Sequence, residues 1–205
     1  MRNLIIIGAS GHGQVVFEIA CKIGLYDKIL FLDDDLEKSN ESLVVGTLSD
    51  IEKYLSTFEF FVAIGNNCVR KKIIEKLIYL KANMPTLIHP SAVVARNVEM
   101  GRGCVVMPGV VINPFVKIGD GVIVNTSSSI DHGCTVGNFC HIAVGSHVAG
   151  DVSIGNNSWI GAGATIINNL SICDNCLIGA GAVVVDDITN EGTYIGVPAK
   201  KYKGK

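Results

Sequence analysis

Aromatic residues make up only 6% of the 205-residue chain, with a single tryptophan, and just five prolines interrupt it. A core built on large rings is excluded, so small aliphatic side chains must fill the interior. Charge is sparse and balanced, with 17 Lys+Arg against 19 Asp+Glu and a formal net charge of -2. No long basic run is present, which removes the electrostatic footprint that nucleic acid or an anionic membrane surface requires. Mean hydropathy is +0.40, yet no stretch approaches the roughly 20 consecutive apolar residues of a spanning helix. A hydrophobic fraction of 48% excludes disorder and suffices for one compact domain or two small ones. Met1 to Gly8 contains only four consecutive strongly apolar residues, Leu4 to Ile7, and no small-residue cleavage site. It reads as a first strand and not as a signal peptide, and a cytoplasmic location is expected.

Residues 1–85 alternate between strand-like and helix-like patterns. Leu4 to Ile7 is a continuous β-branched and aliphatic run that stops at Gly8, as a parallel strand buried on both faces does. Gly8-Ala9-Ser10-Gly11-His12-Gly13 leads into Gln14 to Ile23, where Val15, Val16, Ile19, Ala20 and Ile23 recur at helical spacing. Further strands are expected at Lys28 to Leu32, ending in Asp33-Asp34-Asp35, and at Phe60 to Ile64, ending in Gly65-Asn66-Asn67. Short helices are expected at about Asp50 to Ser56 and Val69 to Lys81. The alternation predicts a small α/β, Rossmann-like parallel sheet. In such a sheet the loops after the strand C-termini converge, so Gly11, His12, Gly13, Asp33, Asp34, Gly65 and Asn66 would line one crevice suited to a nucleotide. The spacing is GxxGxG, which departs from the dinucleotide GxGxxG pattern, and no second βαβ half follows, so NAD is disfavoured. A tight turn with merely solvated aspartates is the plainer alternative.

From Ala92 onward a fixed period of six takes over. Every sixth residue from Val94 to Val184 is Val or Ile, with Met100 the one exception, giving sixteen hexads without an insertion. Two positions earlier in each hexad sits a small or modest residue, for example Ala92, Cys104, Ser128, Cys140 and Ala182. Both positions are expected to face inward in a hexapeptide-repeat parallel β-helix, three hexads to a triangular coil and about five coils in all. With stacked strands about 4.8 Å apart the prism would rise roughly 25 Å. Residues 86–205 would form this second domain.

Seven cysteines are present. Cys173-x-x-Cys176 invites a zinc or redox reading, but Cys104, Cys134, Cys140 and Cys176 all share the small inward position and are expected in the core as free thiols. His132, His141 and His147 avoid the inward aliphatic position. Three readings stay open for them: exposed surface residues, a zinc site like that of γ-class carbonic anhydrases, or a general base with companions.

With Gly8-Ala9-Ser10-Gly11-His12-Gly13, Asp33-Asp34, Ala63-Ile64-Gly65-Asn66-Asn67, Asn125-Thr126-Ser127-Ser128, Asp131-His132 and Gly196-Val197-Pro198-Ala199-Lys200, the chain resembles the NeuD/PglD family of sugar acyltransferases over nearly its whole length. The resemblance implies a left-handed β-helix, a homotrimer with active sites between subunits, and acetyl-CoA as co-substrate lying along the helix. It implies N-acetylation of the 4-amino group of a UDP-linked 4-amino-4,6-dideoxy sugar, with sialic acid O-acetylation or GDP- and dTDP-linked amino sugars as alternatives. By the same resemblance His132 is the general base and Asn125 helps fix the site, while His141, Ala162 and Ala180 contact acetyl-CoA. Gly11, His12, Gly13, Asp33, Asp34, Gly65 and Asn66 hold the nucleotide sugar. Relatives commonly carry an acidic residue directly after the catalytic histidine. Here that residue is Gly133, which leaves Asp131 as the candidate carboxylate partner. A binding-only module and a γ-carbonic-anhydrase-like metalloenzyme are the competing functions.

Overall fold

The computed structural model describes residues 2–35 and 43–204. Three parallel strands, β1 (Asn3–Ile7), β2 (Lys28–Leu32) and β3 (Glu59–Val62), form a sheet in the order β2-β1-β3. The central strand is buried on both sides, with Leu4, Ile5, Ile6 and Ile7 all at 0% exposure. Side chains alternate across a strand, so Leu4 and Ile6 join a cluster with Val16, Ile19 and Ala20 of helix α1 (Gly11–Ile23). Ile5 and Ile7 face Ile73, Ile74 and Leu77 of helix α2 (Asn67–Tyr79). The helix expected near Asp50 is a short 3-10 segment at Leu48–Tyr54. Gly13 is required by contact, because a β-carbon there would collide with the Gly8 carbonyl; this close approach seats α1 on the strand end.

After Leu87 the chain winds as a parallel β-helix of about six turns. Strands of two or three residues stack in strict register at intervals of eighteen, as in Val105↔Ile123↔His141↔Trp159. The first face runs from Leu87–Ile88 to Cys176–Ile178 and is closed by Gly192–Ile195 and the antiparallel Lys200–Lys201. The second runs from Val93–Val94 to Val183–Val184, and the third from Glu99–Met100 to Ser171–Ile172. The helix starts one hexad before Ala92: Ile88 occupies the aliphatic register but stays part exposed at the open end of the prism.

The interior follows the hexad pattern. Ile112, Ile130, Val136, Ile142, Ile160, Ile166, Ile178 and Val184 are at or below 1% exposure. Cys104, Cys134 and Cys140 point inward, and each thiol reaches the carbonyl fifteen residues on, at 3.0 to 3.1 Å. Burial pushes the Cys104 and Cys140 thiols up to about 12, so they stay protonated.

Two side chains fasten the sheet to the β-helix. Arg70, on α2 and 1% exposed, donates to Gly121, Phe139 and Cys140 carbonyls of the helix at 2.8 to 3.2 Å. It also donates to the Ile64 and Gly65 carbonyls that end β3, at 2.9 Å each, and to Asn67 Oδ1 at 2.8 Å. Asn67 in turn donates to the Asn157 and Ser158 carbonyls at 3.3 and 3.2 Å. Burial lowers the Arg70 guanidinium to about 10, which leaves it charged at neutral pH. Its partners are all carbonyl or amide oxygens, so removing the side chain strands several buried acceptors. Arg70→Ala is expected to cost about 3 kcal/mol or more and to expose the linker near Met84 to protease. An unchanged urea midpoint together with unchanged proteolysis would contradict this.

Candidate active site

The sheet presents a cleft of about 310 Å³ lined by Gly8, Ser10, Asp33, Asp34, Asp35, Leu48 and Ile64, with Val69 and Ile73 of α2 behind. Asp33 and Asp34 thus sit where the strand-end argument places them. Both also hold the chain itself: Asp33 Oδ2 accepts from the Ala9 amide at 2.7 Å, and Asp34 Oδ1 accepts from the Leu48 amide at 2.9 Å. Asn66 caps α2, its side chain accepting from the Val69 amide at 3.0 Å, and the Gly65 carbonyl is taken by Arg70. Gly11 lies exposed at the start of α1 and Gly13 is buried.

His12 points the other way, toward the β-helix. His12 and His141 interact electrostatically, and both feel Arg70. His141 was expected outside the core, and it does project outward from the prism. The N-terminal sheet covers that face, however, so His141 is only 6% exposed and packs on Trp159 with ring centroids 4.3 Å apart. Burial first, then Arg70, holds His12 down to about 4 and His141 to about 3. Both rings are neutral at pH 7.

The tautomer of His141 follows from its neighbour. Asn125 Oδ1 accepts from the Thr126 amide at 2.8 Å, which turns Nδ2 toward His141 Nε2 at 3.0 Å. An amide nitrogen only donates, so Nε2 accepts and Nδ1 carries the proton. Among the described residues, His141 Nδ1 and His12 Nε2 are both buried without a hydrogen bond of good geometry. The Gly65 backbone nonetheless acts on the His141 ring as a hydrogen-bond partner, so the junction itself supplies a polar contact for one of the two.

Asn125, Ala162 and Ala180 lie on one edge of the prism, between the first and second faces, one of them on each of three different coils. Ala162 and Ala180 are exposed, and a β-carbon built on Gly145, Gly163 or Gly181 along the same edge would meet nothing. The edge is an open track that starts beside His141 and climbs about 14 Å over three coil steps.

His132 lies on another edge, between the second and third faces. Its side chain is 59% exposed, and the ring Nδ1 is 3.7 Å from Asp151 Oδ2 on the next coil. Asp131 Oδ1 instead accepts from Asn113 Nδ2 at 2.7 Å and from the His132 amide at 2.8 Å, contacts that fix the turn. His147 belongs to the second face, where Nδ1 meets Ser129 Oγ at 2.8 Å. The three helix histidines therefore occupy an edge and two different faces of one chain, and no metal-binding cluster of His, Cys, Asp or Glu occurs among the described residues.

Residues 3–77 match the PglD N-terminal domain, and residues 151–186 match the bacterial transferase hexapeptide (six repeats). The acetyltransferase domain of PglB from Neisseria gonorrhoeae superimposes with a TM-score of 0.95 at 41% identity, covering 98% of this chain and 100% of that one. PerB from Caulobacter crescentus, solved with CoA and GDP-perosamine, matches at 37% identity and TM-score 0.92, covering 98% of this chain and 97% of that one. A curated relative, the UDP-N-acetylbacillosamine N-acetyltransferase of Bacillus subtilis, is 32% identical over 112 residues, 52% of each sequence. The match thus spans about half the length of that relative. The chain belongs to the NeuD/PglD acyltransferase family.

For this NeuD/PglD protein, two structural features escape sequence reading. Arg70 sits in an ordinary amphipathic helix pattern, and nothing local distinguishes it from its lysine neighbours. Asp151 lies nineteen positions after His132, one coil plus one residue, so only the period itself links them. The depressed histidines carry a pH signature. In the unfolded chain His12 and His141 protonate near 6.5, whereas the folded protein keeps them neutral to about 4 and about 3. The unfolded state therefore binds more protons below pH 6.5, and stability falls as pH drops from there toward 4, by up to about 1.4 kcal/mol per pH unit per histidine. Urea midpoints at pH 7, 5.5 and 4.5 should show this slope, and His141→Gln should flatten it; an equal slope in the variant would refute the assignment.

Proposed function

We propose that this protein transfers acetyl from acetyl-CoA to the 4-amino group of a nucleotide-linked 4-amino-4,6-dideoxy sugar, with a UDP-linked acceptor favoured. The observation that carries the reading is the full-length likeness to the PglB acetyltransferase domain, whose structure with acetyl coenzyme A matches this chain at 40% identity and TM-score 0.94. The name of the Bacillus subtilis relative supports the UDP-linked acceptor; the GDP-perosamine complex of PerB supports a guanine nucleotide as the second reading.

In this account the cleft at Asp33 and Asp34 takes the nucleotide; Gly11, His12, Gly13, Gly65 and Asn66 do not line that cleft, and any part of theirs is in holding the sugar end of the acceptor beyond it. The open edge takes acetyl-CoA along Ala162 and Ala180. His141, whose Nε2 is held by Asn125, borders the acetyl end, and Asn125 on the edge itself is the polar group placed to meet the acetyl carbonyl. A 4-ammonium group must lose a proton before its nitrogen attacks the thioester carbon. His132 accepts that proton, a task worth typically 10²- to 10⁴-fold in rate. The CoA thiolate leaves as the tetrahedral intermediate collapses to the amide.

His132 and the Asn125/His141 edge are separated in one chain, which supports a homotrimer in which the base of one copy faces the acetyl-CoA edge of the next. Among the described residues no helix is long and apolar enough to cross a membrane, which fits the proposed cytoplasmic setting. Thiol release from acetyl-CoA, read with UDP-, GDP- and dTDP-linked 4-amino sugars and with mass spectrometry of each product, tests the activity. One added acetyl on an amino sugar is expected, and release that His132→Ala reduces at least a hundredfold. Wild-type turnover by His132→Ala would overturn the base assignment.

A further inference from the structure

His132 stands beside a carboxylate that the local sequence does not announce. Asp151 is tied to it twice: the Asp151 amide donates to the His132 carbonyl at 2.9 Å, and Asp151 Oδ2 lies 3.7 Å from His132 Nδ1. Two glycines make room for this pair. A β-carbon at Gly133 would collide with Asp151 Oδ1, so the absent side chain after His132 is the space that the carboxylate occupies. A β-carbon at Gly150 would sit 2.6 to 2.7 Å from His132 Cε1 and Nε2, so the ring lies flat over Gly150. The four left-handed positions on this edge are Phe115, Gly133, Asp151 and Asn169, with φ between 58° and 69°, and only the one against the ring carries a charge.

Stability does not explain the arrangement. Both side chains are more than half exposed, at 59% and 58%, where an ion pair contributes between nothing and about 1 kcal/mol, and a left-handed aspartate offsets part of that. Asp131, the other carboxylate on this turn, has Oδ1 engaged by Asn113 and by the His132 amide. Cys134 lies inside the prism.

We propose that Asp151 is the positioning residue of His132, holding Nδ1–H so that Nε2 faces the acceptor amine and stabilising the imidazolium formed on proton transfer. The assignment rests on His132 as the base. A rotation of two exposed side chains closes 3.7 Å to a hydrogen bond, as catalytic pairs commonly do once substrate is bound. Asp151 reaches the ring from the next coil, in place of an acidic residue at position 133.

Nitrogen-15 NMR of the neutral His132 imidazole in the full-length protein tests the pairing without needing the acceptor. A carboxylate at Nδ1 selects the tautomer that carries the proton there, so Asp151→Asn is expected to move the two ring nitrogen shifts toward those of a mixed-tautomer imidazole. The same change is expected for Gly133→Ala, which displaces the carboxylate. With acetyl-CoA and the UDP-linked 4-amino sugar, Asp151→Asn should lower kcat about tenfold with both KM values unchanged. Unmoved ring nitrogen shifts in Asp151→Asn overturn the proposal. If His132→Ala is inactive while Asp151→Asn keeps the wild-type ring shifts and turnover, Asp151 alone is excluded; if His132→Ala stays active, the base reading itself fails.

Discussion

The guanidinium of Arg70 is the contact on which the site geometry depends. A three-stranded sheet with two helices is a marginal unit by itself, and a β-helix leaves one face of outward side chains without cover. Arg70 joins the two by spending its donors on carbonyls from the end of β3 and from two coils of the helix. The same contact brings Gly65 and His12 over His141 and places positive charge near both rings. The histidines stay neutral because they are dry and because Arg70 is there, which suits them to donate or accept single hydrogen bonds and not to carry charge.

The β-helix contributes a different constraint, that of strict periodicity. Eighteen residues bring each side chain back over its predecessor, so a feature repeated along an edge becomes a linear track. One edge has small, exposed residues at Ala162 and Ala180, suited to an extended ligand. Another carries His132 with Asp151 above it. The prism keeps these edges apart in one chain, and the homotrimer proposed above would bring an edge of each kind together from two copies.

Much of this was legible in the sequence. The period of six predicted the solenoid, the inward cysteines and the aliphatic residues of its two inward slots, because every coil repeats the same packing; the burial of the outward Val105 and Ile123 under the sheet was not in it. Leu4 to Ile7 and Lys28 to Leu32 announced buried parallel strands through composition alone. The role of Asp33 was half visible: its place at a strand end pointed to the cleft, but not to its hydrogen bond with the Ala9 amide. Burial of His141 was hidden, since no local pattern says which outward face a second domain will cover. Asp151 was hidden for the opposite reason, since its partner lies one coil back and adjacent-residue reasoning favoured Asp131.

Subunit mixing tests the central claim, that one chain holds the base and another the acetyl-CoA edge, most directly. His132→Ala and His141→Ala chains, each inactive alone, would be unfolded together, refolded as an equimolar mixture and assayed with acetyl-CoA. If the two histidines serve each site from different copies, random assembly restores about a quarter of wild-type activity, because one site in four then combines both intact edges. If the mixture stays as inactive as its components while the wild type recovers from the same treatment, the two histidines act within one chain, and the split-edge account is wrong.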